Sequence, residues 1–325
     1  MKERNPNIDT ARGIAIFLVI IGHCISEVDN PINRFILSFH MPLFFVISGM
    51  LMSNNQPQLN FLQYFHIKAK RLLLPQVLLG FLFYLYFAFY SAISSGTLEL
   101  FAPYQLFLRI ISPWFLIVMF GVTLIAYYYR KYIADSLIMT IIFNAFIILL
   151  TIYLQYKSIT NPYLCNLNIV PMAWLFYILG SIFKKQLSKS VTKRDEIIFV
   201  ITIPVVYILA QINTPVRMYS SDYGIIYLFL VSAFSASFVI IRNSQLINSK
   251  MLQWAGKNSM AIYVFQFPIH MIYHDLFIVM FNHFGIQNQM LLIGFNILFS
   301  LSTTLLFVFF SSKSRVMRFI FEGHN

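Results

Sequence analysis

The sequence predicts an all-α, polytopic membrane protein of about ten transmembrane helices, with both termini in the cytoplasm. Of its 325 residues, 59% are hydrophobic and only 10% are charged, and the mean hydropathy is +0.73. A soluble domain carries more charge than this on its surface. Hydrophobic runs of about 20 residues, the length that crosses a bilayer as a helix, recur from one end of the chain to the other.

Ten hydrophobic runs can be placed along the chain, and the fourth and sixth are short for a full crossing. They cover residues 12–28, 33–52, 72–93, 113–130, 136–155, 170–184, 195–213, 222–241, 258–281 and 289–312. The first run lacks a signal-peptide cleavage pattern, so we expect it to be retained as a helix. No repeat or linker divides the sequence, and residues 1–325 are predicted to form a single transmembrane domain. Cys24 and Cys165 are expected to be free thiols.

The distribution of lysine and arginine predicts the orientation. With ten spans, 19 of the 23 basic residues fall on the side of the N-terminus, and four fall on the other side: Arg34, Arg109, Lys157 and Arg217. The positive-inside rule therefore places both termini in the cytoplasm. This topology and the anionic inner leaflet account for the net charge of +12, so the lipid bilayer is the expected partner and nucleic acid is not.

The first span carries Arg12 and His23 in an otherwise apolar run. Ionisable residues inside a membrane helix are costly and point to function. The two residues are eleven positions apart, which puts them on one helix face about 16 Å apart. We therefore predict that a ligand held at Arg12 reaches His23, and that Asp9 pairs with Arg12 and orients it. The alternatives are a cytoplasmic anchor for Arg12 and a hydrogen bond to a neighbouring helix for His23.

The second span contains His40, Pro42 and Ser48. This helix is antiparallel to the first, and His40 is expected at a depth similar to that of His23, in a shared cavity. Pro42 frees a backbone carbonyl, which a membrane tolerates only where protein or water faces it. The alternative for Pro42 is a packing kink, and the alternative for Ser48-Gly49 is a close helix contact through small residues.

Basic and aromatic residues next to the third and fourth spans are further candidates. Lys68, Lys70 and Arg71 are predicted in the loop before the third span, where they serve either as anchors or as ligands for the phosphates of a nucleotide-like donor. Trp114 is predicted at the outer interface, as part of the aromatic belt or as a stacking surface for sugar.

The ninth span is the other polar helix. It carries Tyr263, Gln266, His270, His274 and Asp275. His270 and His274 are four residues apart and share a helix face, but the sequence fixes no third ligand, so no metal site is predicted. An outward-facing polar stripe that contacts a hydrophilic acceptor fits this pattern better.

Taken together, these motifs resemble bacterial integral-membrane acyltransferase family 3, in the branch of fucose 4-O-acetylase-like and capsule or cell-surface polysaccharide O-acetyltransferases. The resemblance is collinear over nearly the whole chain. It is carried by Asp9…Arg12-Gly13…Gly22-His23, by Phe39-His40-Met41-Pro42-Leu43-Phe44-Phe45…Ser48-Gly49, and more weakly by Lys68…Arg71…Pro75, Trp114-Phe115-Leu116 and Gly256-Lys257-Asn258-Ser259…Ile262-Tyr263.

The resemblance implies a bacterial inner-membrane enzyme that takes acyl-CoA, with acetyl-CoA as the expected co-substrate and no permanently bound cofactor. It also implies transfer to a sugar hydroxyl at the outer face and an essential role for Arg12 and His23. We expect catalysis by His23, Arg12 and His40, and donor binding by Arg12, Ser48, Lys68, Lys70 and Arg71. We expect acceptor binding by Asp9, Arg34, Trp114, Tyr263, Gln266 and His270.

One departure from the family pattern concerns Gln266, which stands where relatives usually have a histidine. Glutamine forms hydrogen bonds but cannot take a proton. We expect Gln266 to supply the hydrogen bond that the histidine would make, with relocation of a proton-transfer role to His270 as the alternative.

Two other functional classes remain open from the residues alone: an exporter of polysaccharide or a small metabolite, and a sensor that binds lipid-linked sugar without turnover. Paired inverted halves with broken helices, which are frequent in transporters, are not found in the sequence. The acyl group, the identity of the glycan or lipid-linked sugar acceptor and the oligomeric state, with a homo-oligomer as one alternative, are left open.

Overall fold

The computed structural model describes residues 5–25, 29–52, 59–95, 107–108, 110–157 and 166–322. Within these ranges the chain is all-helical, apart from one isolated bridge between Arg217 and Asp222. Eight helical segments of the described residues are long and apolar enough to cross a membrane, and one of them, Pro31–Met50, consists of two consecutive shorter helices. The protein is therefore a multi-pass membrane protein, whereas the count of ten crossings and the cytoplasmic position of the termini stay predictions.

The helices are numbered in chain order as follows. They are α1 (Pro6–Cys24), α2 (Pro31–Leu37), α3 (His40–Met50), α4 (Phe61–Ser95), α5 (Trp114–Tyr132), α6 (Leu137–Tyr156), α7 (Val170–Ile182), α8 (Lys184–Leu187), α9 (Lys193–Ile212), α10 (Ile226–Asn243), α11 (Lys250–Lys257), α12 (Ser259–His283), α13 (Gln289–Ser311) and α14 (Arg315–Glu322). Helices α5 and α7 occupy the predicted fourth and sixth spans, which are not among the eight candidates. Cys24 is a buried free thiol, and Cys165 and Arg109 lie outside the described residues.

Helix α4 is longer than the sequence predicted. It begins at Phe61 and not at residue 72, so Lys68, Lys70 and Arg71 are helical and do not lie in a loop. The start is fixed by a reciprocal cap: the Asn60 backbone N–H donates to the Gln63 side chain at 3.2 Å, and the Gln63 N–H donates to the Asn60 side chain at 2.9 Å. This pair satisfies two N–H groups that a helix start leaves free.

The predicted second span is broken into α2 and α3 at Ser38 and Phe39. Pro42 explains the break, because it has no N–H for the carbonyl of Ser38 and its ring would clash with that carbonyl. His40 is consequently the first residue of α3 and not part of a continuous helix. Its ring nitrogen Nδ1 lies 2.8 Å from the carbonyl oxygen of Ile36.

Glycines let two pairs of helices approach closely. Gly49 of α3 lies against the Tyr177 carbonyl of α7, and Gly180 of α7 lies against the Val46 carbonyl of α3. A Cβ at either glycine would overlap backbone. Close backbone approach through small residues is a usual way to hold membrane helices together. The α1–α11 contact uses the same device, with Gly13 against the backbone of α11.

The buried Arg242 ties together one end of the bundle. It is 5% exposed, and its guanidinium donates to the Asp195 carboxylate and to the carbonyls of Gln186, Lys189 and Ser190. All five of its N–H groups are used, which is what a buried charge requires.

Contacts between helix ends show which termini lie on the same end of the bundle. The Ser244 hydroxyl donates to the Asn7 carbonyl at 3.0 Å, which places the end of α10 beside the start of α1. Lys184 donates to the Met52 carbonyl at 3.2 Å on this same end. Arg34, on the opposite end, donates to the carbonyls of Gln211 and Asn213 after α9. The starts of the predicted first and second spans therefore lie at opposite ends of the bundle, in agreement with the predicted order of the spans.

Candidate active site

A cavity of about 1340 Å³ lies at the end of the bundle where α1 begins. Its charged lining is entirely basic among the residues that the structure describes. The lysines and arginines that line it are Arg12, Lys68, Lys70, Arg71, Arg130, Lys131 and Lys257, contributed by α1, α4, α5 and α11. Positive charges of this number around one concave surface favour a polyanionic ligand.

Aromatic rings hold several of these cations in place. The Lys70 ammonium lies 4.2 Å from the centre of the Phe319 ring of α14, and the Lys68 ammonium lies 5.3 Å from the centre of the Tyr64 ring. Tyr64 is itself fixed, because its hydroxyl donates to the carbonyl of Thr123 at 3.0 Å. Cation–π contacts position the ammonium groups without neutralising their charge.

Three aromatic side chains form the inner floor of the cavity. The Phe115 ring centre lies 5.6 Å from that of Phe44 and 5.4 Å from that of Tyr263. The Tyr263 phenol is also hydrogen-bonded to the backbone of Phe115. Ser48, one turn beyond Phe44 on α3, and Ser259, one turn before Tyr263 on α12, supply hydroxyl groups to the cavity wall.

Beyond the floor lie histidines from three different helices. The rings of His23 of α1 and His270 of α12 are nearly parallel, with centres 5.8 Å apart, and His23 also meets Phe267 edge-on at 4.8 Å. His40, at the start of α3, is close enough to His23 to interact with it electrostatically. The cavity wall comes within one turn of this cluster, since Phe44 is four residues from His40 and Tyr263 is four residues from Phe267.

Two buried polar atoms near the histidines lack partners in the described part of the protein. His270 is 9% exposed and its Nδ1 makes no hydrogen bond to another residue; Gln266 is 1% exposed and its Oε1 is likewise unpaired. Buried polar groups are normally satisfied, so two unpaired atoms one turn apart on the same face of a helix point to a ligand or water at that place. No group of three described His, Cys, Asp or Glu side chains could hold a metal ion.

The candidate residues from the sequence separate into three groups. The cavity brings together Arg12, Ser48, Lys68, Lys70, Arg71 and Tyr263. The histidine cluster contains His23, His40 and His270, with Gln266 one turn away on α12. Three candidates lie outside the cavity. Asp9 is buried against α11, with 6% of its surface exposed, and Trp114 packs on Phe45 with ring centres 6.4 Å apart. Arg34 donates hydrogen bonds to backbone carbonyls at the end of α9.

Sequence reasoning missed several cavity residues. Arg130 and Lys131 lie in the last turn of α5, and the sequence placed them only among the basic residues of the cytoplasmic side. Lys257 ends α11, and the sequence placed it on that side and in a family motif but not among the site residues. The short helix α14 was not predicted at all, yet Phe321 lines the cavity. Its signal was present in the alternation of Arg315 and Arg318 with apolar residues, which is typical of an amphipathic interfacial helix.

Comparison with known proteins identifies the family of this chain. A sequence profile of the acyltransferase domain family, acyltransferase family 3, matches residues 5–311. Nodulation protein NolL of Mesorhizobium japonicum is 38% identical over 84 residues, which make up 23% of this chain and 22% of that protein. Nodulation protein NolL of Sinorhizobium fredii is 36% identical over 84 residues, 23% of each chain. The match thus spans less than a quarter of the length of these curated relatives. No solved structure matches.

The family match extends from the residue before α1 to the end of α13 and so includes every basic side chain of the cavity and the three histidines. The chain therefore belongs to acyltransferase family 3.

Proposed function

We propose that this protein is a membrane O-acyltransferase that moves an acyl group, with acetyl as the first candidate, from cytoplasmic acyl-CoA to a sugar hydroxyl. The acceptor would be a cell-surface polysaccharide or its lipid-linked precursor, and the location would be the bacterial inner membrane. One observation carries the proposal: a basic cavity ends at an aromatic floor, and Phe44 of that floor lies one helical turn (~5.4 Å) from His40. His40 belongs to one cluster with His23 and His270.

The cavity suits coenzyme A because that molecule separates its charge from its reactive end. Its phosphates would lie among the basic side chains of α1, α4 and α5, where charge-assisted hydrogen bonds are strongest. Its pantetheine arm is long, narrow and uncharged. Arg12 and His23 lie eleven residues apart on α1, a distance of about 16 Å along the helix. The arm would pass the floor formed by Phe44, Phe115 and Tyr263 and bring the thioester to His23.

His23 would act as the general base. It would accept the proton of the acceptor hydroxyl as that oxygen bonds to the thioester carbonyl carbon. The carbon–sulfur bond then breaks, and the leaving thiolate takes the proton back from the imidazolium, so the transfer neither consumes nor releases a proton. Imidazole is suited to both steps because it gains and loses a proton near neutral pH. The alternative is a transient acyl group on His23 itself.

His40 is suited to orient this base. The Ile36 carbonyl can only accept a hydrogen bond, so the contact at 2.8 Å requires a proton on Nδ1 of His40. In the neutral ring, Nε2 is then left as an acceptor. Since the break between α2 and α3 aims this ring into the bundle, His40 can hold the neighbouring imidazole or a reacting hydroxyl in a fixed direction.

Donor binding provides the test of the proposal. We expect the purified protein to bind acetyl-CoA saturably in isothermal titration calorimetry. Arg130→Ala should weaken that binding about 10- to 100-fold, the loss expected for one charge-assisted hydrogen bond to a phosphate. Lys250→Ala removes an exposed basic residue on the same end of the bundle, outside the cavity.

The control variant should bind acetyl-CoA as the unchanged protein does. An unchanged protein that gives no saturable heat with acetyl-CoA would contradict the proposal and favour an exporter or a non-catalytic binding protein. If the Arg130→Ala and Lys250→Ala variants bound acetyl-CoA with equal affinity, the cavity would not be the binding site for acetyl-CoA.

A further inference from the structure

A polar cluster lies on the far side of the histidines from the donor cavity. Asp275 of α12 accepts a hydrogen bond from the Tyr86 hydroxyl of α4, and the Nδ1 atom of His274 lies 3.4 Å from its other oxygen. The carboxylate sits inside a helix that is long and apolar enough to cross a membrane. An ionisable group in that position is costly and is usually retained for function.

The Asp275 carboxylate is available to a ligand as well as to its protein partners. Its side chain is 36% exposed and that of His274 is 28% exposed. A carboxylate offers about four lone-pair positions, and the contacts with Tyr86 and His274 use only some of them. Asp275 therefore keeps capacity to accept hydrogen bonds from further hydroxyl groups.

Stacked aromatic rings extend this cluster outward. The Tyr86 and Tyr90 rings lie 29° from parallel with centres 6.1 Å apart, and Tyr90 is 51% exposed. An exposed aromatic face next to a carboxylate and an imidazole combines an apolar surface with hydrogen-bonding groups. A sugar ring needs both, because it has an apolar C–H face and a rim of hydroxyl groups.

His270 links this cluster to the reaction centre. It lies one turn before His274 on the same face of α12, and its ring is stacked on that of His23. The unpaired Nδ1 of this buried side chain marks a place for a polar group between the two sites. A hydroxyl of a molecule bound at Asp275 is suited to occupy it, since the distance from His270 to Asp275 along the axis is only ~7.5 Å.

We propose that Asp275, Tyr86, Tyr90 and His274 form the binding site for the sugar acceptor, with His270 between this site and His23. The inference rests on the proposed function and deepens it by assigning the acceptor side. Donor and acceptor then approach His23 from opposite ends of the bundle, so the pantetheine arm with its acyl group passes the aromatic floor and the sugar does not.

The experiment compares acceptor use with donor binding. Cells that lack the native gene carry either the unchanged protein or one variant, and alkali-releasable acetate on the envelope polysaccharide is measured. The same proteins are purified and titrated with acetyl-CoA. The variants are Asp275→Asn, which keeps the shape of the side chain, and Tyr90→Ala, which changes an exposed side chain and spares the fold. Asp29→Asn is the control, because Asp29 is an exposed acidic residue on the same end of the bundle.

We expect Asp275→Asn and Tyr90→Ala to lower polysaccharide acetate about tenfold, the size of effect that loss of one charge-assisted hydrogen bond or one stacking surface produces. Their affinity for acetyl-CoA should equal that of the unchanged protein, and Asp29→Asn should be normal in both measurements. Normal acetate in the Asp275→Asn cells would overturn the proposal.

A parallel loss of acetyl-CoA affinity in Asp275→Asn would also overturn the proposal, because the cluster would then support the fold or the donor. If the unchanged protein neither binds acetyl-CoA nor acetylates polysaccharide, the proposed function itself fails, and the acceptor site fails with it. Activity and acetyl-CoA binding of the unchanged protein therefore test the proposed function, whereas the difference between the variants and the unchanged protein tests the acceptor site.

Discussion

His23 and His270 come from α1 and α12, nearly 250 positions apart in the sequence, and meet as stacked rings 5.8 Å between centres. Gln266, the residue at the usual family histidine position, lies one turn toward the donor cavity from His270. The sequence alone favoured Gln266 as a simple hydrogen-bonding replacement. The contact between His270 and His23 favours the alternative, in which a proton-transfer role is relocated to His270.

We therefore predict that His270→Ala lowers turnover more than Gln266→Ala. Loss of His270 removes a ring in direct contact with His23, whereas loss of Gln266 removes a side chain whose Oε1 has no partner. General acid–base support is worth about 10²-fold or more in rate. Polysaccharide acetate in cells with each variant provides the measurement, and an active His270→Ala beside an inactive Gln266→Ala would reverse the assignment.

At the scale of single residues, spacing within one helix could be predicted from the sequence. Arg12 and His23 do lie on one helix, α1. Contacts between distant segments could not be predicted, because nothing local indicates that Arg130 and Arg12 line the same cavity. The same limit applies to Arg34, which resembles a free outer cation in the sequence but donates to two backbone carbonyls after α9.

At the scale of elements, the pairs of helices that build the site are joined by glycine contacts. The α3–α7 crossing positions Ser48 and Phe44 in the cavity wall, and the reciprocal contacts of Gly49 and Gly180 set its separation. Bounds could be predicted where the apolar pattern is long and uninterrupted: α12 covers Ser259–His283 against the predicted 258–281. The bounds could not be predicted where a capping residue or a proline sets the start of the helix, as Asn60 does for α4 and Pro42 does for α3.

We predict that Gly49→Ala lowers the thermal stability of the protein in detergent, because the added Cβ would overlap the Tyr177 carbonyl. Forced overlap in a packed interface costs about 1–3 kcal/mol. Gly294→Ala is the matched control, since a Cβ there meets nothing within 4 Å, and alanine favours the helix by about 1 kcal/mol. Equal melting temperatures for the two variants would show that α3 and α7 are not in close contact.

At the scale of the whole molecule, composition and hydropathy predict the class of protein, and the structure confirms an all-helical, multi-pass architecture. The orientation remains a prediction from the basic residues. It matters for mechanism, because the basic cavity must open to the cytoplasm for cytoplasmic acyl-CoA to enter it. The contacts of Ser244 with Asn7 and of Lys184 with Met52 place these basic helix ends together at one end of the bundle.

We predict that a reporter fused after residue 325 is active in the cytoplasm, whereas a reporter inserted between residues 158 and 165 reports the outer side. The reason is the 19 to 4 division of lysine and arginine between the two sides. Alkaline phosphatase and fluorescent-protein fusions measure this directly. An external C-terminus would place the basic cavity on the wrong side for cytoplasmic acyl-CoA.

Transfer of the acyl group by His23 is the central claim, and acetate on the surface polysaccharide tests it most directly. The measurement compares cells that express either the unchanged protein or His23→Ala at equal levels in the membrane. The account predicts that the acetate falls to the level of cells without the gene, while the purified variant still binds acetyl-CoA, because His23 does not line the basic cavity. Normal polysaccharide acetate in the His23→Ala cells would contradict the account.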